Sequence, residues 1–274
     1  MRVAEWIQLI FSSLLAVAAW FWPLPLQRRI KVSLWALVVI SAIGMARFAV
    51  SFLPWLASSV LRDWLTAALL LVPYWQAGQF FVAPDEKLQQ RLSAFDRRLL
   101  QRRSPDKAVT PWNKALALYV EIAYLAVYPL VPLGLAVLYL LHLRQDADYY
   151  WTVVLAAMYL CYATTPFVQA LPPRVLSQTT RAIPESKLRR LNLQILRQAS
   201  IQAVTFPSAH VAAAVAVALV LLRLTPVAGL GFALAALSIG VAAVAGRYHY
   251  AADVLWGALL SLAVFVSTYW AAPG

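Results

Sequence analysis

Three histidines stand in the chain, and two of them sit where an imidazole can do chemistry. The first lies in Phe206-Pro207-Ser208-Ala209-His210, just where a long apolar run begins. Proline suits the first turn of a helix, so a helix N-terminus is predicted here. Its free backbone N–H groups and dipole make a ready anion site. Ser208 can cap that helix or donate to a phosphoryl oxygen, and His210 projects from the first turn. The second lies in Gly246-Arg247-Tyr248-His249-Tyr250-Ala251-Ala252-Asp253, between the last two apolar runs. On a helix beginning near Tyr248, His249 and Asp253 share one face, one turn apart. A carboxylate so placed accepts the proton of one ring nitrogen and leaves the other free as a nucleophile. Arg247 brings a planar donor fork suited to phosphate. A third element, Leu171-Pro172-Pro173-Arg174, ends an earlier apolar run, and its double proline forces an extended exit that holds Arg174 near the run's end. Two histidines and one aspartate can also bind zinc, but an aspartate spaced to orient a histidine favours acid–base work, so no metal is expected. His142, flanked by Leu141 and Leu143, reads as an interfacial side chain.

Of 274 residues, 62% are hydrophobic and 12% charged, against about 25% charged in a soluble domain. The apolar residues fall in long runs with polar breaks, which excludes an ordinary soluble enzyme. The 11 Trp, 12 Tyr and 11 Phe exclude disorder. Runs of about 20 apolar residues span a bilayer. Eight are read here, at 5–25, 32–53, 64–83, 115–141, 150–171, 208–224, 228–245 and 252–271. The expected fold is an all-α polytopic transmembrane bundle. The first run lacks a small-residue cleavage site and ends in Trp-Pro-Leu-Pro-Leu before Arg28 and Arg29, so it reads as a retained span. The fourth holds Pro129 and Pro132 and is predicted to kink. There is no internal repeat, and the single Cys161 forms no internal disulfide.

Two connections read as amphipathic interfacial helices. In 84–113, Leu88, Leu92, Phe95 and Leu99 recur at helical spacing, with Arg91, Arg98 and Arg102 elsewhere on the wheel. In 183–202, Leu188, Leu191 and Ile195 are backed by Lys187, Arg189, Arg190 and Arg197. Each reads first as a surface anchor, which is compatible with a basic rim that draws anionic lipids toward a site. The net charge of +12 sits in such loops, so the expected partners are anionic lipid head groups or phosphorylated lipid substrates, not nucleic acid. By the span count, Arg174, His210, His249 and Asp253 fall on one side. That side carries 18 Lys and Arg in its loops, against Arg2, Arg62, Arg144 and Arg223 opposite, and the positive-inside rule turns it to the cytoplasm. Within spans, Glu121 with Tyr124 and Tyr128 can line a head-group pocket, or Glu121 can pair with Arg47.

Pro207-Ser208-Ala209-His210 followed by Arg247-Tyr248-His249-Tyr250-Ala251-Ala252-Asp253 resembles the type 2 phosphatidic acid phosphatase superfamily. The Arg-Tyr-His-Tyr-x-x-Asp form is more similar to its inositol phosphorylceramide synthase branch, and sphingomyelin synthases have a related His-Tyr-x-x-Asp. The resemblance covers residues 64–271, so 64–274 reads as a six-span catalytic core and 1–63 as two extra spans. It implies that His249 is the nucleophile, that Asp253 orients it, that His210 protonates the leaving group and that Arg174 binds phosphoryl oxygens. Phe167 stands where the family has a lysine, Ala209 where it usually has glycine, and Ala242 and Ala243 where it usually has Ser-Arg. Arg247 can take the place of that arginine.

The expected activity is therefore a lipid phosphatase or phospho-head-group transferase, working through a phosphohistidine without a cofactor. Arg174, Arg247 and the N–H groups near Ser208 would hold the equatorial oxygens. Water as acceptor releases phosphate, and a lipid alcohol receives the head group. A transporter or scramblase is the alternative, suggested by Arg47 and Glu121 within spans. The expected location is a bacterial inner membrane. The resemblance turns the site to a periplasm or lumen, against the charge count.

Overall fold

The computed structural model describes residues 1–100, 113–176, 186–201, 203 and 206–271. Parts of both expected interfacial stretches, Arg102 among them, lie outside the described residues. The described chain is helical, in thirteen α-helices and two short 3₁₀ turns: α1 (Val3–Phe21), α2 (Leu26–Val50), α3 (Trp55–Leu69), α4 (Val72–Gly78), α5 (Glu86–Leu99), α6 (Lys114–Leu125), α7 (Val127–Leu140), α8 (Ala147–Ala163), α9 (Pro173–Leu176), α10 (Lys187–Ala199), α11 (Ala209–Leu224), α12 (Pro226–Ala245) and α13 (Ala251–Thr268). It is an all-α, polytopic transmembrane bundle.

Each of the eight expected runs contains helix, but they differ in kind. Five helical units are long and apolar enough to cross a bilayer: α1, α2, α3 with α4 as Trp55–Gly78, α12 and α13. The pair α6 and α7 makes a sixth if counted as one span bent by 55°. Pro129 explains the break, because a proline ring clashes with the carbonyl four residues back, here that of Leu125, the last residue of α6. Helices α8 and α11 are shorter, at 17 and 16 residues. At 1.5 Å per residue α11 is about 24 Å long, less than the roughly 30 Å hydrocarbon core. These two form the centre of the bundle. Residues 212–214 and 216–218 of α11 and most of α8 are buried, so neighbouring helices take the place of lipid around them. The alanine and valine side chains of α11 let α8, α12 and α13 approach closely.

The third span begins at Trp55, not at residue 64. Its first turns carry Ser58, Ser59, Arg62 and Asp63, and all but Arg62 are buried toward the bundle. Arg62 bonds both oxygens of Glu5, at 2.6 and 2.8 Å, and Asp63 pairs with Arg2 and accepts from Tyr139 Oη at 2.5 Å. Charges neutralised between helices remain at membrane depth. Arg47 also faces Glu5, at 4.0 Å. The expected alternative of an Arg47–Glu121 pair is corrected: Glu121 bonds Arg189 instead.

Those ion pairs mark one end of the bundle. At the other end, Arg28 donates to the carbonyls of Gln79 and Phe81, Asp85 N–H to that of Gln169, and Ala251 N–H to Asp96 Oδ1. Helices α5 and α10 lie at this end. Asp85 caps α5 and Ser186 caps α10, which is what these residues do at helix starts. Leu88 and Leu92 of α5 pack on Ala170, Tyr250, Ala252 and Phe206, while Phe95 and Leu99 stay exposed. In α10, Leu188 and Ile195 are half-buried and Leu191 is exposed, while Arg189, Asn192 and Leu196 are buried toward the bundle, where Arg189 finds a polar partner.

Candidate active site

Four sequence-distant elements meet at the end of the bundle that carries α5 and α10. Helix α11 starts at Ala209 because Ser208 caps it, its hydroxyl accepting from Val211 N–H at 3.4 Å. This puts His210 in the first turn. Helix α13 starts at Ala251, and the Asp253 carboxylate turns back to accept Tyr250 N–H at 3.0 Å. That bond fixes the carboxylate beside His249, whose Nδ1 lies 3.4 Å from Asp253 Oδ2. His249 Nε2 lies 3.3 Å from His210 Nδ1. The tautomer that satisfies both contacts has His249 donating its Nδ1–H to Asp253 and accepting at Nε2 from His210. The three side chains thus stand in series, with the lone pair of His249 directed away from its carboxylate.

The starts of α11 and α13 are locked together. Ser208 N–H donates to the Asp253 carbonyl at 2.9 Å. A Cβ on Gly257 would sit 2.6 Å from the Ser208 carbonyl oxygen, so only glycine permits this approach. Ser208 is fully buried. It acts here through its cap and its backbone, and it does not line the cavity described below.

Arg174 approaches from the exit of the run that ends α8. Its N–H donates to the Arg247 carbonyl at 3.0 Å, and its guanidinium reaches the Tyr248 carbonyl at 3.4 Å. Arg247 has φ 62°, a left-handed turn, and so offers its carbonyl to Arg174. Its side chain is not among those lining the cavity. Phe167, at the position of the family's lysine, is 72% exposed.

His210, His249 and Arg174 border a cavity of about 230 Å³. Its walls are apolar or phenolic: Leu70 and Tyr74 from the third span, Tyr124 and Tyr128 from the bent pair, Met158 and Tyr162 from α8. Helix α10 adds Ile195, Leu196 and Ala199. Tyr124 stacks on Tyr248 with centroids 3.7 Å apart, and the Tyr128 ring meets His210 edge-on at 6.1 Å. A phosphate ester with an apolar body fits this division between one polar end and a greasy interior.

His249 lies in the turn before α13. Burial, and secondarily the charge of Arg174, lower it from the usual histidine value to about 3. That direction favours the neutral ring that a nucleophile needs. The same shift acts on stability. Between pH 6.5 and 3 the unfolded chain holds one more proton at this residue, so its stabilising contribution is complete above pH 6.5 and shrinks on acidification. The slope is about 1.4 kcal/mol per pH unit. We expect the difference in unfolding free energy between wild type and His249→Gln, from chemical denaturation in detergent, to fall by about that slope between pH 6 and pH 4. A difference flat across this range would contradict a buried neutral His249.

Several residues near the site had no sequence signal. Arg189 and Asn192 bond Glu121 from 68 and 71 residues away. Tyr248 donates to the same carboxylate, although it was read only as part of a motif. Asp96 caps α13 from α5. Asp and Tyr at such positions have many ordinary roles, and only the fold selects these.

A search of curated proteins returns no match, and neither does a search of solved structures. The sequence profile of the PAP2 superfamily matches residues 90–267, a stretch that holds Arg174, both site histidines and Asp253. With the match covering well over half of its length, the chain belongs to the PAP2 superfamily, whose membership points to phosphatase chemistry on phosphate esters.

Proposed function

We propose that this protein is an integral membrane phosphatase or phospho-head-group transferase acting on lipid phosphate esters through a phosphohistidine at His249. The carrying observation is the series Asp253, His249, His210, with its 3.4 and 3.3 Å contacts, at the polar end of an apolar cavity. In this reading the catalytic core begins with the third span, at Trp55 and not at residue 64, and the two spans before it are extra.

His249 Nε2 attacks phosphorus in line. The bond to the leaving oxygen breaks, and a protonated His210 gives that oxygen its proton. Asp253 holds the other ring nitrogen and stabilises the charge that His249 acquires. Arg174 neutralises the equatorial oxygens, with Arg247 and the Ser208 turn holding its frame. In the second half, neutral His210 takes a proton from water or from a lipid alcohol, which attacks phosphorus and frees His249. Water yields inorganic phosphate, and an alcohol yields a new phospholipid. The synthase-like Arg247-Tyr248-His249-Tyr250 favours the alcohol as a second acceptor.

The test is a panel of lipid phosphates and phospholipids presented to purified protein, with and without ceramide or another lipid alcohol. Phosphorus is expected to appear as free phosphate or on the added alcohol. Failure to move phosphorus from any of them would end this reading, as would transfer unaffected by removal of the His249 ring.

A further inference from the structure

The Glu121 carboxylate joins three elements at one buried point. Oε1 accepts from Arg189 Nη1 at 2.7 Å. Oε2 accepts from Asn192 Nδ2 and from Tyr248 Oη, each at 2.6 Å. The Glu121 backbone carbonyl takes a further bond from Asn192 at 3.1 Å. All four residues are at most 4% exposed. A buried charge requires such compensation, but compensation alone does not dictate which elements supply it. Here Arg189 and Asn192 belong to α10, an interfacial helix, and Tyr248 immediately precedes the nucleophile.

Tyr248 is held on every side. Its ring stacks on Tyr124, its N–H donates to the Ala243 carbonyl at 2.8 Å, and its own carbonyl accepts from Arg174. Burial and the Glu121 carboxylate raise its phenol well above the usual value, which keeps it a donor. Helix α10 meanwhile lies across the cavity, giving it Ile195, Leu196 and Ala199. At its far end Ala199 accepts from Trp75, and Tyr74 meets both Ser200 and Ile201. Movement of α10 off the cavity therefore pulls on Glu121 through two side chains, and Glu121 pulls on the turn that aims His249.

We propose that Glu121 is a positioning residue that ties the seating of α10 over the cavity to the aim of His249, so that the nucleophile is held in line only when the helix covers the substrate. The catalytic part of this rests on the proposed function; the mechanical link does not. Closure of this sort assembles a site around substrate and excludes water.

The test uses Tyr248→Phe, which keeps the stack on Tyr124 and removes only the bond to Glu121. On a water-soluble phosphate ester, kcat is expected to fall about tenfold with KM within about twofold, while the unfolding midpoint moves by no more than a few degrees. The paired variant Glu121→Gln with Arg189→Met, which removes both buried charges together, is expected to give the same kcat loss. A nitroxide on Leu191→Cys, an outward position on α10, reports the helix directly, because the native Cys161 is buried. Inorganic phosphate is expected to immobilise this label in the wild-type background and to leave it unchanged with Tyr248→Phe. Unchanged kcat, a kcat loss matched by lost thermal stability, or a label response that survives Tyr248→Phe would each overturn the proposal. A protein that hydrolyses nothing yet transmits the phosphate signal through Tyr248 would remove the enzymatic reading and leave the link standing.

Discussion

His249→Ala is expected to abolish phosphate transfer, by a factor on the order of 10⁴–10⁶, the scale lost when a covalent nucleophile is removed. The geometry gives the reason. His249 Nε2 is the one ring nitrogen of the series whose ring is backed by a carboxylate, and it faces His210 at the border of the cavity. Among the described residues no carboxylate stands behind His210, and the phenols of Tyr124 and Tyr128 are poor nucleophiles when protonated. The measurement is initial-rate phosphorus transfer from the best substrate of the lipid panel. Acid-labile radiolabel on the protein after a rapid quench from lipid phosphate labelled at phosphorus adds a direct check, because a P–N bond survives base and not acid. His249→Gln separates chemistry from folding, since its amide can still donate toward Asp253. A variant retaining a tenth of wild-type activity would show that the nucleophile lies elsewhere.

His210→Gln is expected to produce a loss that depends on the leaving group. For a lipid alkyl ester the departing alkoxide needs a proton, and removal of a placed acid lowers the rate by about 10²–10⁴-fold. For p-nitrophenyl phosphate the departing phenolate needs none, so attack by His249 continues and the phosphoenzyme accumulates. Its breakdown still lacks a base to activate water. The expected result is a burst of p-nitrophenol, close to one equivalent per protein, followed by a slow steady state. Equal losses on both substrates with no burst would show that His210 serves binding or structure. The 3.3 Å contact puts His210 beside the proposed nucleophile; the burst separates proton transfer from mere proximity.

The two outcomes also bear on the acceptor. A burst whose slow phase accelerates when a lipid alcohol is added would show transfer as well as hydrolysis. The side of the membrane on which this occurs is open to a C-terminal reporter fusion, because the site lies at the bundle end opposite Tyr269, which contacts Arg223; Arg223 also reaches Tyr149.

Much of this was written in local patterns. Hydropathy located helix in all eight apolar runs, because a backbone in lipid must satisfy its own hydrogen bonds and a helix does so within each run. Pro129 announced the break after Leu125. Ser208 announced the helix start that puts His210 in its first turn, since capping is a property of a single turn; the helix expected from Tyr248 begins instead at Ala251, so His249 meets Asp253 from the turn before it. The sequence also determined which residues could do the chemistry, by placing rare ionisable groups at the ends of apolar runs.

Tertiary structure decided the rest. Nothing local distinguishes Arg189 from Arg190, yet one is buried on Glu121 and the other exposed. Arg47 and Glu121 were candidates for each other until the bundle gave each a different partner. The start of the third span at Trp55 depended on Glu5 and Arg2 lying opposite Arg62 and Asp63. Ser208 became a clamp on α13 because Gly257 leaves room for its carbonyl. In every case the deciding term is the desolvation of a polar group, which is offset only by a partner many residues away. A periodic pattern reports which face of a helix avoids water or lipid head groups; it carries no information about which distant side chain will complete a buried charge.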